Sequence, residues 1–240
     1  MRLSVEFLKR DFTTPLTFPD VVFKPERYSW HRWGGPELAT LQAYGSAVSL
    51  WQLANWLRAP VVIRDERGKR VWWGYAAEVT VGVGPVEWGL TLQGMANRVK
   101  VFYPDQSDGG ESQDLETDWA QDADSISTYG TFELVARLTG TSATLEMANA
   151  RRDQLLAAFK YPRPVVRFAG RGGSELKATI RCRGWWFSLG WETYANAATE
   201  DAETTAQIAT GSNDWAAAVA TYLMAAAAAG APYSFGMIIT

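Results

Sequence analysis

The chain has 240 residues, 47% of them apolar, enough for one large domain or two small ones around a buried core. A net charge of −3 gives no overall footprint for duplex nucleic acid, so a basic patch would be local and secondary. One cysteine excludes an intrachain disulfide, and one histidine excludes a multi-histidine metal site within the chain.

The opening "MRLSVEFLKRDFTTPLTF" shows no secretory signal, because charges break its short apolar pieces. Within it Leu3, Val5 and Phe7 alternate with Ser4 and Glu6, the pattern of a half-buried strand. Pro15, Pro19 and Pro25 mark a loop-rich stretch, and "ELATLQAYG" reads as a further strand. Ser46 can cap a helix whose apolar side is Ala47, Leu50, Trp51, Ala54 and Leu57; Pro60 stops it, giving a helix over 47–58. "PVVIRDERGKRVWWGY" then reads as a hairpin with a charged tip turning at Gly68. Val79, Val81 and Val83 share one strand face, and Trp88, Leu90 and Leu92 share the next, with a turn at Gly84-Pro85.

From Asp105 to Asp124 the chain carries eight acids and no Lys or Arg, the texture of a solvated linker. Beyond it, Thr141, Ser142 or Thr144 can cap a helix over 143–160, with Leu145, Ala148, Leu155 and Phe159 on one face. "PVVRF" and "LKATIRCRG" follow as strands. In the second, Leu176, Ala178, Ile180 and Cys182 alternate with Lys177, Thr179, Arg181 and Arg183. The Ala-rich run Ala216–Gly230 is too short to span a bilayer; a helix over 214–229 and a terminal strand "PYSFGMIIT" are expected there.

The two stretches 60–75 and 164–186 echo each other: Pro-Val-Val, a glycine-bearing turn, and a Trp-Trp pair beside a glycine. Each ends a unit of helix, Pro-marked link and hairpin. The expected fold is therefore α+β and mainly β, with two related small β-barrel-like units, each covered by a helix. The first spans 1–104 with helix 47–58. An acidic linker covers 105–124, the second unit spans 125–196 with helix 143–160, and a C-terminal helix and strand cover 197–240.

Candidate chemistry is sparse. His31 in "YSWHRWGG" has no nucleophile motif beside it. Cys182 lies in phase with Leu176 and Ile180, which makes it a small core hydrophobe. Asp105, Ser107, Gly110 and Glu116 fall at positions of a calcium-binding loop, but Gly109 offers no side-chain oxygen where one is needed. No catalytic, cofactor-binding or metal-binding residues are assigned, and no cofactor is expected. The candidate residues are interfacial: Trp72, Trp73, Trp185 and Trp186, of which one in each pair must face outward, and Tyr129.

The segment from Ser49 to Val81, with "GLTLQGMANRVKVFY", resembles the first barrel of tail hub proteins from tailed bacteriophages. "DSISTYGTFELV" followed by "EMANARRDQLLAAFKYPRPVV" resembles the second barrel, with Ser125, Ile126, Tyr129 and Gly130 introducing its helix. The resemblance runs from about residue 30 to 195. It implies a structural, non-enzymatic virion protein, made in the host cytoplasm, that sits in the tail tip. Its two barrels, repeated by threefold symmetry, would form a ring of six similar units facing the tail tube. Partners would be other copies, the tube and neighbouring tail-tip proteins. Genome DNA would pass through the channel without specific binding, and no membrane span is expected. Two other classes fit the composition: a polysaccharide-binding module using surface tryptophans, and a tail-associated cell-wall hydrolase.

Overall fold

The structure, a computed structural model, describes residues 3–31, 35–105, 113–138, 143–168, 176–185 and 187. All but Phe187 belong to one compact unit, Met1–Trp186. The expected C-terminal helix and terminal strand, and Trp186, lie outside the described residues.

The protein is α+β and mainly β. The first strands are β1 (Ser4–Leu8), β2 (Pro15–Leu16), β3 (Val21–His31) and β4 (Gly35–Gly45). Helix α1 (Ala47–Gln52) follows, capped as expected by Ser46, whose hydroxyl accepts from the Ser49 N–H at 3.2 Å. It tightens into a 3-10 turn over Leu53–Trp56 before Pro60 opens β5 (Pro60–Arg64). Next come β6 (Arg70–Val83), β7 (Val86–Thr91) and β8 (Arg98–Asp105). The segment 105–124, expected as a linker, instead carries β9 (Gln113–Glu116) and β10 (Ala120–Gln121), both paired with β8. Only Asp114 and Glu116 of its acids fall in these short strands, which join a sheet whose buried face comes from β8, so the segment shows no apolar run of its own. Then α2 (Ala123–Tyr129), β11 (Glu133–Arg137), α3 (Leu145–Phe159), β12 (Arg163–Phe168) and β13 (Lys177–Gly184) complete the order. Thr144 caps α3, accepting from the Met147 N–H at 3.3 Å.

Two sheets result. The larger runs β2-β1-β5-β6-β13-β4-β3, with β7 and β12 branching from β6. Its long strand β6 makes this possible: Arg70–Tyr75 pairs with β5, and Glu78–Val83 pairs with β7 on the same edge. At the switch, Arg58 donates to the Ala76 carbonyl at 2.8 Å and Ala76 to Ala59 at 3.0 Å. The sheet curls, and Phe7 on β1 meets Phe23 on β3 at 4.8 Å between ring centres, so its ends approach. Inside the curl Leu41, Ile63, Ile180, Val79 and Val81 are buried, and Leu50, Leu53 and Leu57 cover them from α1 and the 3-10 turn. Each of these leucines contributes about 1.5–3 kcal/mol by leaving water.

The smaller sheet places β8 between β11, which runs parallel to it, and the short strands β9 and β10. Helix α3 packs on it, joining Val99, Val101 and Tyr103 to Ala148 and Leu155. Each sheet thus carries a helix, as the sequence suggests, but the strands are distributed differently. β12 and β13 were expected as the hairpin of a second barrel. They do not pair with each other among the described residues: β12 adds to β7, and β13 inserts between β6 and β4. In that central place the apolar face of β13 is covered, with Ala178, Ile180 and Cys182 no more than 1% exposed, while Lys177, Thr179, Arg181 and Arg183 take the other face.

Candidate functional site

Alternation decides where the tryptophans point. Trp72 is fully buried in β6, and Trp185, just after β13, is buried against Tyr75 and Phe12, each 5.0 Å away between ring centres. One indole of each pair therefore faces the core, and these two offer no surface to a partner. Trp73 points the other way and is half-buried. Its ring is covered edge-on by Trp30 (5.1 Å, 79°) and by the Arg70 guanidinium at 4.5 Å. Trp30 is fixed in turn, its indole N–H donating to the Val71 carbonyl at 2.9 Å, and it remains 49% exposed. Two rings at 79° do not form the flat platform that a sugar would stack on.

Tyr129 ends α2 at a junction between the two sheets. The Arg10 guanidinium lies 5.6 Å from its ring centre and donates to the Leu57 carbonyl at 2.8 Å. Gly130 follows at φ +81°, and any Cβ there would strike the Arg58 guanidinium. Beneath them Asn97 is wholly buried. Its Nδ2 donates to the Ser125 hydroxyl at 3.1 Å and the Gly130 carbonyl at 2.7 Å, while Oδ1 accepts from the Phe132 N–H at 2.7 Å. Asp122 caps α2 through the Ser125 N–H at 2.8 Å and holds Lys160 at 2.9 Å. That Lys160 hydrogen bond, with the Ser125 bond behind it, lowers the Asp122 pKa, and the same contact raises that of Lys160. The Ser125…Tyr129-Gly130 element thus has a mechanical role: it pins α2, β11 and the end of α3 to β8.

The remaining candidates resolve simply. Burial pushes the Cys182 thiol above its ordinary pKa, which keeps it protonated. His31 is exposed at the end of β3. Glu116 of the calcium-loop pattern pairs with Lys100 at 2.9 Å, while Ser107, Gly109 and Gly110 lie outside the described residues. Among the described residues no group of three or more His, Cys, Asp or Glu could hold a metal, and no helix is long and apolar enough to cross a membrane.

The surface that sequence reading missed lies on the strand edges. β12 pairs only with β7 among the described residues, and β3 only with β4. On β7 and β12, Trp88 and Val166 are direct cross-strand partners, 47% and 56% exposed, and Phe168 two residues on is 83% exposed. Trp51 of α1 packs on Trp88 at 4.8 Å. This strip continues the inner face of the sheet beyond the cover of α1. The alternation of Val166 and Phe168 was legible, but their neighbour Trp88 was not. Comparison with known protein families, with curated proteins and with solved structures finds no match.

Proposed function

We propose that the chain is a structural protein of a phage tail, a hub that assembles with copies of itself at the distal end of the tail and leaves a channel for the genome. The observation that carries this reading is that a curled sheet leaves strands β3 and β12 with a single paired neighbour each among the described residues. One of them is lined by exposed Trp88, Val166 and Phe168. Exposed apolar strips on unpaired edges mark surfaces that another chain covers. Two different edges on one subunit suit head-to-tail contacts, which close into rings. The resemblance of the Ser125…Gly130 element and the segments around it to tail hubs supports the same class. Its partners would be other copies, the tail tube and neighbouring tip proteins, and its place would be the virion tail.

Light scattering on the purified chain, alone and mixed with tail-tube protein, tests this. A trimer or larger ring that binds the tube is the expected result. A monomer at all concentrations with no affinity for tail components refutes it.

A further inference from the structure

The net charge of −3 conceals a sheet face of opposite sign. Register identifies its members. Arg27, Thr40, Arg181, Glu78, Thr91 and Arg163 form one unbroken row of cross-strand partners from β3 to β12. The next row begins at Lys24 and passes through Gln42, Thr179, Thr80 and Gly89. Alternation along the strands adds Lys177, Arg183 and Arg167 to the same side. Seven cations thus share a face with three carboxylates, Glu26, Glu78 and Glu87. The charge of Glu78 is already engaged, since Arg167 grips it with both guanidinium nitrogens and Arg181 stands 3.6 Å away. Lys24, Arg27, Arg163 and Arg181 are exposed.

We propose that this face binds the phosphodiester backbone of nucleic acid without regard to sequence. Five of the seven cations are arginines, whose planar forks match phosphate oxygens. Strand geometry sets them in a grid, about 4.8 Å across strands and roughly 6.7 Å along them. Between the cations lie Thr40, Gln42, Thr179 and Gly82, partly exposed, small or hydrogen-bonding residues that let a backbone approach, while Thr80 and Gly89 are buried beneath them. Val22 with its partner Tyr44, Leu38, Val165, and the buried Tyr75 opposite Arg183 sit only at the margins. A protein interface would need buried aromatic or aliphatic anchors at the centre, and this centre has none. That contrast favours phosphate over an acidic protein surface. The face is built by a single chain, so the inference stands independently of ring formation.

Fluorescence anisotropy of the full chain with a labelled duplex of about 20 base pairs and with the matching single strand tests it. With about four phosphates neutralised, affinity should fall on the order of 100-fold between 50 and 200 mM salt. The triple variant Lys24→Glu, Arg27→Glu, Lys177→Glu should lose at least tenfold at 50 mM. The control Arg67→Glu, Lys69→Glu, Arg151→Glu, which changes net charge equally at exposed sites elsewhere, should stay within about threefold of the parent. Far-UV circular dichroism checks folding, and a Gln triple at the same three positions replaces the Glu triple if that fails to fold. No binding at 50 mM, or equal losses in both triples, overturns the proposal. Competition by polyglutamate as strong as that by DNA also overturns it, and assigns the face to an acidic protein.

Discussion

Replacing Asn97 by Ala removes the polar node on which α2, β11 and the end of α3 converge. Three hydrogen bonds go with the carboxamide, from Nδ2 to Ser125 and Gly130 and from the Phe132 N–H to Oδ1. At about 1 kcal/mol each they account for roughly 3 kcal/mol. The residues left behind fare unequally. Ser125 keeps its bond to the Lys160 carbonyl, and Gly130 is only half-buried, so water can satisfy it. The Phe132 N–H sits in a residue 6% exposed and loses its acceptor, at a cost of about 1–3 kcal/mol. The expected loss is therefore about 4–6 kcal/mol. In a unit of this size that lowers the melting temperature by roughly 8–24 °C. Thermal unfolding by circular dichroism measures it. A double-mutant cycle with Ser125→Ala should show coupling on the order of 1 kcal/mol, because the two side chains bond each other. A melting temperature within 2 °C of the parent, or strictly additive effects, would refute the assignment of Asn97 as the node.

Three more perturbations discriminate parts of this account. Asp122 has its pKa lowered by Lys160, so its contribution is present above the ordinary carboxylate range and is lost as pH falls through the depressed value. Lys160, raised by the same bond, contributes below its ordinary pKa and loses that contribution only as strongly alkaline pH is reached. Asp122→Asn should flatten the acid limb of stability below about pH 4, read from melting temperatures across pH, and an unchanged limb counts against the latch. Cys182, 1% exposed and held as the thiol, should resist a thiol reagent in the native protein and react fully in denaturant. Rapid native labelling would show that β13 is not buried as described. Gly89→Ala puts a Cβ against the Val79 carbonyl and the Thr80 backbone, forcing β6 and β7 apart, for about 3 kcal/mol. Gly68→Ala at the open hairpin tip (φ +76°) meets nothing and should cost only about 1 kcal/mol of backbone strain. Melting curves that rank the two alanines the other way would contradict the register of β7.

Sequence patterns read local structure well where a single element decides it. Ser46 and Pro60 bracket α1 and its 3-10 turn, and Asp65 and Gly68 shape the β5–β6 tip, where the Asp65 carboxylate accepts from the N–H groups of Arg67 and Lys69 at 3.0 and 2.8 Å. The alternation in β13 correctly separates Ile180 and Cys182 from Lys177 and Arg181. Alternation names a strand's faces but not its neighbours, so the insertion of β13 between β6 and β4 was hidden. The basic face was hidden for the same reason: its cations come from residues 24–27, 163–167 and 177–183, and only pairing gathers them. β9 and β10 escaped because short strands that rest on a neighbour's buried face carry no apolar signal of their own.

The echo between residues 60–75 and 164–186 admits a physical reading that needs no second barrel. Its two glycines face each other: Gly74 of β6 is the cross-strand partner of Gly184 of β13. A Cβ on Gly74 would run into the Arg183 carbonyl and the ring of Trp72, and one on Gly184 into the Pro36 carbonyl. Three strands therefore pass too closely at this point for side chains, and the buried indole of Trp72 fills the space that residue 74 would otherwise occupy. Trp185 does comparable filling beside Gly184, against Tyr75. Two adjacent strands crossing at one crowded point meet the same steric demand, and a large aromatic beside a glycine answers it in both. The likeness around the two Trp-Gly pairs follows from β6 and β13 being neighbours, whereas the Pro-Val-Val openings lie in β5 and β12, which pair with different strands and share no such point.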